Sequence, residues 1–195
     1  MEGLSSMATA IVAPGDVVLA PSPSYPIHTY GFIIAGATIR SVPTTPNEEY
    51  WDALDQAMAY TSPRPSVLVV NYPSTPTAET VDLAFYERLV KWARENEVWV
   101  LSDLAYSELY YDGKPTRSIL EVPGAKDVAV EFTSMSKTYS MAGWRMGFAV
   151  GNPTLISALT RVKSYLDYGA FTPIQAAACA ALNGPQDIVE KNRLL

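Results

Sequence analysis

Short apolar runs recur along this sequence, separated by longer segments whose apolar residues return at helical spacing. Apolar runs of four to six residues predict strands, and the longer amphipathic segments predict helices. Strands that alternate with helices imply a mostly parallel sheet sandwiched between helices, an α/β fold. Strands are predicted at 17–20, 38–42, 66–70, 98–102, 128–133 and 147–151, the last of the buried type. Helices are predicted at 2–12, 30–35, 51–60, 81–95, 153–166 and 172–182, with a final helix running to Leu195.

Polar and aromatic residues follow four of the predicted strands. Tyr25 comes after the first of them, residues 71–77 after another, Asp103 and Tyr106 after a third, and Lys137 after a fourth. In parallel sheets ligands gather at the carboxyl ends of the strands. The four loops are therefore expected to converge on one edge and form a site.

The loop around Lys137 has the most specific chemistry. A lysine at a strand end can be desolvated, which lowers its pKa and frees the amine for Schiff-base formation. Ser134, Ser136 and Arg145 supply the hydroxyl donors and the planar cation that bind a phosphate. An amine beside a phosphate clamp is what pyridoxal phosphate requires. For the loop alone, a solvated surface lysine beside a serine-rich turn explains the pattern equally well.

Three residues on the other loops suit the same cofactor. Asp103 ends an apolar strand, where an unpaired charge is costly, and a protonated pyridine nitrogen would pair it. Tyr106 can donate its hydroxyl to the phenolate oxygen of the ring, and Tyr25 has a flat face that can stack on it. The alternatives are a helix cap or strand-end charge for Asp103 and ordinary packing for the two tyrosines.

Composition excludes several classes of protein. The net charge of −6 and a pI near 4.8 argue against a nucleic-acid partner, whose binding surface would be basic. No apolar run approaches the roughly 18 residues of a membrane span. The single cysteine, Cys179, excludes an internal disulfide and fits a cytoplasmic protein, and its alanine-rich surroundings predict a buried helical thiol. The single histidine, His28, is expected to be structural and to order the turn at Tyr25.

Ser134-x-Ser136-Lys137, followed by Arg145 within Gly143–Gly147, resembles the pyridoxal-phosphate lysine motif of class I/II (fold type I) aminotransferases. The sequence is most similar to those of the bacterial alanine/aspartate-type enzymes. The resemblance implies that Lys137 binds the cofactor covalently and carries the proton while an amino group passes between an amino acid and a 2-oxo acid. It also places Asp103 and Tyr106 in the Asp-x-x-Tyr pattern of the family, and Tyr25 at its stacking aromatic.

Thr75 departs from the family pattern. The family loop commonly reads Asn-Pro-Thr-Gly or Asn-Pro-Thr-Ala, and its asparagine donates to the cofactor phenolate oxygen. This chain has Thr75 at that position, which keeps a donor but loses reach and amide geometry. Asn71 lies four residues too early to take its place.

Family members are about twice as long as this chain and consist of a large and a small domain. The resemblance implies that residues 1–195 are a truncated pyridoxal-phosphate-binding large domain without the small domain, and that the parent is a homodimer. Because the small domain carries the arginine that binds the substrate carboxylate, the isolated chain is expected to be inactive. Two alternatives stay open: a pyridoxal-phosphate-dependent lyase on the same scaffold, and a truncated binding domain without catalysis.

Overall fold

A six-stranded sheet organises the protein in the computed structural model, which describes residues 2–194. The strand order is β2-β1-β3-β4-β5-β6; the first five strands run parallel, and β6 is antiparallel to β5. The predicted α/β class with a mostly parallel sheet is confirmed. The strands are β1 (Val17–Ser22), β2 (Thr38–Pro43), β3 (Val67–Asn71), β4 (Trp99–Asp103), β5 (Ala129–Ser134) and β6 (Gly147–Gly151).

Eight helices accompany the sheet in the described part of the chain. The final one ends at Leu194, so the predicted end at Leu195 lies outside the described residues. The helices are α1 (Glu2–Ile11), α2 (Ile27–Ile34), α3 (Glu48–Tyr60), α4 (Leu83–Asn96), α5 (Met135–Thr138), α6 (Pro153–Leu166), α7 (Thr172–Asn183) and α8 (Asp187–Leu194). None of the helices within residues 2–194 combines the length and the apolar character of a membrane span.

The two faces of the sheet bury separate apolar cores. Successive side chains of a strand point to opposite faces, so Leu68 joins the core beneath α3 and α4 while Val69 joins the core beneath α1 and α6. Leu54 of α3 and Leu89 of α4 are fully buried in the first core. Each such leucine contributes roughly 1.5–3 kcal/mol. The sheet is therefore fixed from both sides, and its carboxyl edge provides a rigid support for a site.

Two helices begin at capping residues rather than where their apolar pattern starts. Asn47 accepts a hydrogen bond from the N–H of Tyr50, at 3.2 Å, and α3 begins directly after it. Asp82 likewise accepts from Phe85, at 2.9 Å, before α4. The predicted helix starts at 51 and 81 are wrong by three and two residues because a polar cap satisfies the first free N–H groups.

The predicted end of the first strand at residue 20 is also wrong, because Pro21 and Ser22 continue β1. Proline has no N–H to donate, which normally excludes it from a central strand. At this end, however, β1 is paired with β2 only; its pairing with β3 is limited to Val18 and Leu19. Pro21 is tolerated because no second neighbour requires its N–H.

Two predicted burials are wrong. Strand β6 lies at the edge of the sheet, with a strand neighbour on one side only within residues 2–194, and Phe148 and Val150 are exposed. Cys179 is exposed as well, because α7 buries little beyond Ala178. In both cases the described residues leave these side chains partly uncovered.

Candidate active site

The eight residues singled out from the sequence line one cavity at the carboxyl edge of the sheet. They come from the segments that follow β1, β3, β4 and β5 and from the turn before β6. The cavity is also lined by Asn71, Phe132 and Thr133. Its lining contains all of Tyr25, Thr75, Asp103, Tyr106, Ser134, Ser136, Lys137 and Arg145.

Lys137 lies on α5, the one-turn helix that follows β5. Ser134 ends the strand and accepts a hydrogen bond from the N–H of Ser136 at 3.2 Å, which starts the turn. Met135 is buried beneath it, so Lys137 points outward, with its Nζ 5.6 Å from the ring centroid of Tyr106. The expected desolvation of Lys137 is wrong for this chain, because the helical turn directs the side chain to the open cavity and leaves it exposed.

The phosphate-binding candidates lie on the same side of the cavity. The hydroxyl oxygen of Ser134 accepts from a backbone N–H, so its hydrogen remains free to donate. Arg145 has a φ of 54°, in the left-handed region that non-glycine residues rarely adopt. Its Nη1 donates to the carbonyl of Ala142 at 2.8 Å, which fixes the guanidinium beside the cavity. Two hydroxyls and one cation therefore lie within one short stretch of chain.

Asp103 is held by His28. The Nε2 of the fully buried His28 lies 2.8 Å from Oδ2 of Asp103, and the N–H of Ala105 donates to the other carboxylate oxygen at 3.2 Å. An ionised carboxylate only accepts, so Nε2 carries the proton. The Nδ1 of the same ring has no partner among the described residues. His28 thus aligns the carboxylate, a role beyond the structural one expected from the sequence.

Asn71 fixes the loop that carries Thr75. Its amide Nδ2 donates to the carbonyl of Asp103 at 2.8 Å, and its Oδ1 accepts from the N–H of Thr75, also at 2.8 Å. Asn71 and Asp103 are register partners on β3 and β4, so a single buried side chain connects both loops. Asn71 was not among the residues predicted for the site. The signal in the sequence was an amide at the end of one buried strand and a carboxylate at the end of the next.

The tyrosines complete the lining. The ring of Tyr25 meets that of His28 edge to face, with centroids 6.2 Å apart, which places Tyr25 on the Asp103 side of the cavity. Tyr106 lies three residues beyond Asp103 and faces the Lys137 amine. The donor set matches pyridoxal phosphate: an amine, a cluster of hydroxyls with a guanidinium for the phosphate, and a fixed carboxylate for the ring nitrogen.

A parallel sheet with this donor set at its carboxyl edge defines a pyridoxal-phosphate-binding protein of the α/β class. The sequence model of the family described as Aminotransferase class I and II matches residues 2–194, and the chain belongs to that family. Pyridoxal phosphate is the cofactor of this family, and the resemblance noted around Lys137 is confirmed at the level of the family.

Individual relatives agree with this assignment. The chain is 60% identical to AatC of Rhizobium meliloti over 97% of its own length and 47% of the relative. It is 52% identical to the glutamate-pyruvate aminotransferase AlaC of Escherichia coli, covering 96% and 46% of the two chains. The substrate-bound structure of BacF from Bacillus subtilis superposes with a TM-score of 0.87 at 34% identity, over 98% and 48%. The chain spans about half the length of the relatives it matches.

Proposed function

We propose that this chain supplies the cofactor-binding part of an aminotransferase, which moves an amino group between an amino acid and a 2-oxo acid with pyridoxal phosphate. The observation that carries the proposal is the single cavity lined by all eight candidate residues, Lys137 among them. Residues 1–195 then correspond to a truncated large domain, and the other half of a relative's length includes the small domain.

Each candidate has a place around the cofactor. Ser134, Ser136 and Arg145 would bind the phosphate, and Asp103, aligned by His28, would hold the protonated ring nitrogen. Thr75 and Tyr106 would donate to the phenolate oxygen. Tyr25, which borders His28 on the same side of the cavity, would stack on the ring.

The cofactor, when bound, supplies an electron sink for the charge left at the substrate Cα. The protein has to attach the cofactor and move protons. The Lys137 amine is the group that would accept the proton from Cα and later return it. Its Nζ lies 5.6 Å from the centroid of the Tyr106 ring, so the amine and the ring of Tyr106 are neighbours in the cavity. The Asp103 carboxylate is held in a fixed orientation at the cavity because His28 and the Ala105 N–H both donate to it.

The substrates, assembly and location belong to the proposal as well. AlaC is named for glutamate and pyruvate, which supports an alanine/aspartate-type substrate pair. A homodimer is supported by the end of α6 and the connection to α7, where Tyr165, Tyr168 and Phe171 are 79%, 90% and 71% exposed. Exposed aromatic patches of this kind mark protein contacts. A cytoplasmic location is supported by the free thiol of Cys179.

A chimera tests the proposal. Residues 2–194 replace the matching segment of Escherichia coli AlaC, so that the remaining half of the enzyme comes from the relative. The chimera should form pyruvate from alanine only when a 2-oxo acid acceptor is present, and Lys137→Ala should abolish this. A matched Lys114→Ala variant, changed outside the candidate set, should keep the activity. Release of ammonia and pyruvate from serine without an acceptor, with the β-hydroxyl leaving as water, would instead support the lyase, and a folded chimera without either reaction would refute the proposal.

A further inference from the structure

The crossover from β4 to β5 is unusual in this fold because residues 104–128, all of them described, contain no α-helix. They form a loop and two short 3₁₀ turns, Ile119–Glu121 and Ala125–Asp127. A helix would order such a connection through its own hydrogen bonds and its packing. This segment has to be ordered by individual contacts, and it carries Tyr106.

The crossover passes from one face of the sheet to the other. Asp103, where it starts, is paired in register with Phe132, and both belong to the face that bears the cavity. Ile119 and Val122 pack into the core on the other face, beneath α3 and α4. The chain therefore passes over the carboxyl edge between residues 104 and 118, and Ala105 and Tyr106 at the start of this passage line the cavity.

Glu131 binds the crossover on the face of the sheet beneath α3 and α4. It is a carboxylate on β5 with only 6% of its surface exposed, and no cation pairs with it in the described structure. The hydroxyl of Ser118 donates to its Oε1 at 2.7 Å, and the N–H of Ile119 donates to its Oε2 at 3.2 Å. The hydroxyl of Ser102, its register partner on β4, donates at 3.3 Å.

We call the hydrogen bonds from Ser118 and Ile119 to Glu131 the tether. Comparison with a neighbouring carboxylate shows what the tether adds. Glu121 also contacts Ser118, through the backbone N–H at 2.8 Å, and completes a capping box. That contact lies within the 3₁₀ turn itself and leaves the turn unconnected to the sheet. Glu131 is the carboxylate that connects the same turn to a strand, three residues before Ser134.

We propose that Glu131 is a positioning residue for the cofactor site: its buried carboxylate fixes the far end of the loop at residues 104–118, and thereby the place of Tyr106. Deleting these hydrogen bonds leaves the Ser118 hydroxyl and the Ile119 N–H without the Glu131 acceptor, and the loop loses its polar connection to β5. The part concerning Tyr106 and the cofactor rests on the proposed function; the part concerning the loop does not.

The test uses the protein of residues 1–195 with three single variants. Glu131→Met keeps the length of the side chain and removes every acceptor, whereas Glu131→Gln keeps one acceptor and serves as the conservative rescue. Glu121→Gln is the matched control on the same turn. Amide hydrogen exchange of residues 104–119 is measured without cofactor, and pyridoxal phosphate affinity is measured by absorbance titration.

Glu131→Met should accelerate exchange in residues 104–119 by about tenfold, the effect of losing one or two net hydrogen bonds. Exchange in β1 and α3 should not change, and Glu131→Gln and Glu121→Gln should stay close to wild type. The dissociation constant for pyridoxal phosphate should rise about two- to tenfold in Glu131→Met, the value of one hydrogen bond from Tyr106. If Glu131 acts through Tyr106, adding Glu131→Met to Tyr106→Phe should cause no further loss.

Unchanged exchange in Glu131→Met overturns the proposal, and so does a fully additive double variant. If Glu131→Met does not fold, Ser118→Ala removes the shortest of the three hydrogen bonds without burying a new group, and the same two measurements decide. Wild-type protein that binds no pyridoxal phosphate refutes the proposed function instead, and the exchange measurement still tests the tether.

Discussion

The Nε2 of His28 lies 2.8 Å from Oδ2 of Asp103, although 75 positions separate the two residues in the sequence. His28 belongs to α2 and Asp103 ends β4, so the contact forms only when the helix packs against the sheet. It gives the single histidine of the chain a partner that neither a motif nor a spacing reveals.

His28→Phe should weaken pyridoxal phosphate binding, because the ring shape is kept while the donor to Asp103 is lost. Hydrogen bonds to charged groups contribute about 1.5–3 kcal/mol, which corresponds to a tenfold or greater loss of affinity. Absorbance titration measures it, with His28→Gln as the control that retains an N–H donor. Equal affinity for wild type and His28→Phe would show that Asp103 needs no alignment.

Lys137 should be the residue that binds the cofactor covalently. After incubation with pyridoxal phosphate and reduction with borohydride, peptide mass spectrometry should find the label between Ser134 and Arg145. Lys137→Ala should lose the label because its amine is the nucleophile. A label on Lys114, Lys126 or Lys163 would contradict the assignment.

Thr75→Asn should lower the pH at which the bound cofactor loses its protonated, coloured form. The backbone N–H of Thr75 is already fixed by Asn71, so an asparagine side chain would add a donor towards the cavity shared with Tyr106. A stronger donor to the phenolate oxygen competes with the hydrogen bond that stabilises the protonated form. A spectroscopic pH titration measures the shift, and Thr75→Ser serves as the control. A rise in Thr75→Asn would mean that residue 75 faces elsewhere.

Glu131 should make stability depend on pH. Burial raises the pKa of its carboxyl above the ordinary value of 4.5, against the opposing effect of the hydrogen bonds from Ser118, Ile119 and Ser102. A raised pKa in the folded state means that the stabilisation is complete below 4.5 and is lost as pH rises through the raised value. The free energy of unfolding, measured in urea upward from that pH, should fall more steeply for wild type than for Glu131→Gln. Parallel curves for the two proteins would remove Glu131 as the cause.

Two buried tyrosines should respond oppositely to the loss of their hydroxyls. Tyr72 donates to the carbonyl of Thr44 at 2.6 Å, so Tyr72→Phe should destabilise the protein by about 1 kcal/mol. The hydroxyl of Tyr50 is buried without a partner among the described residues, so Tyr50→Phe should be neutral or stabilising. Urea unfolding of the two variants gives the comparison directly. Equal destabilisation would indicate that the Tyr50 hydroxyl has a bound water.

Local sequence was sufficient to predict the presence of the strands and the site residues at their ends. The apolar run before Asp103 and the hydroxyl cluster before Lys137 predicted an edge site, and the structure brings those residues into one cavity. Sequence was insufficient where the outcome depends on a neighbour. Pro21 continues a strand because β3 does not pair with β1 at that position. Cys179 is exposed because no described residue covers its side of α7.

The order of the strands has a consequence for folding. β1 pairs with β2 and with β3, and the cavity needs the ends of β1, β3, β4 and β5 together, so its lining extends from Tyr25 to Arg145. Parallel pairings across such separations form slowly, because loop-closure entropy is lost before the contacts are gained. No partly assembled sheet can bind the cofactor with the full set of residues. A cofactor held by the full set of residues therefore stabilises the native state by mass action, and its binding can report the last step of refolding.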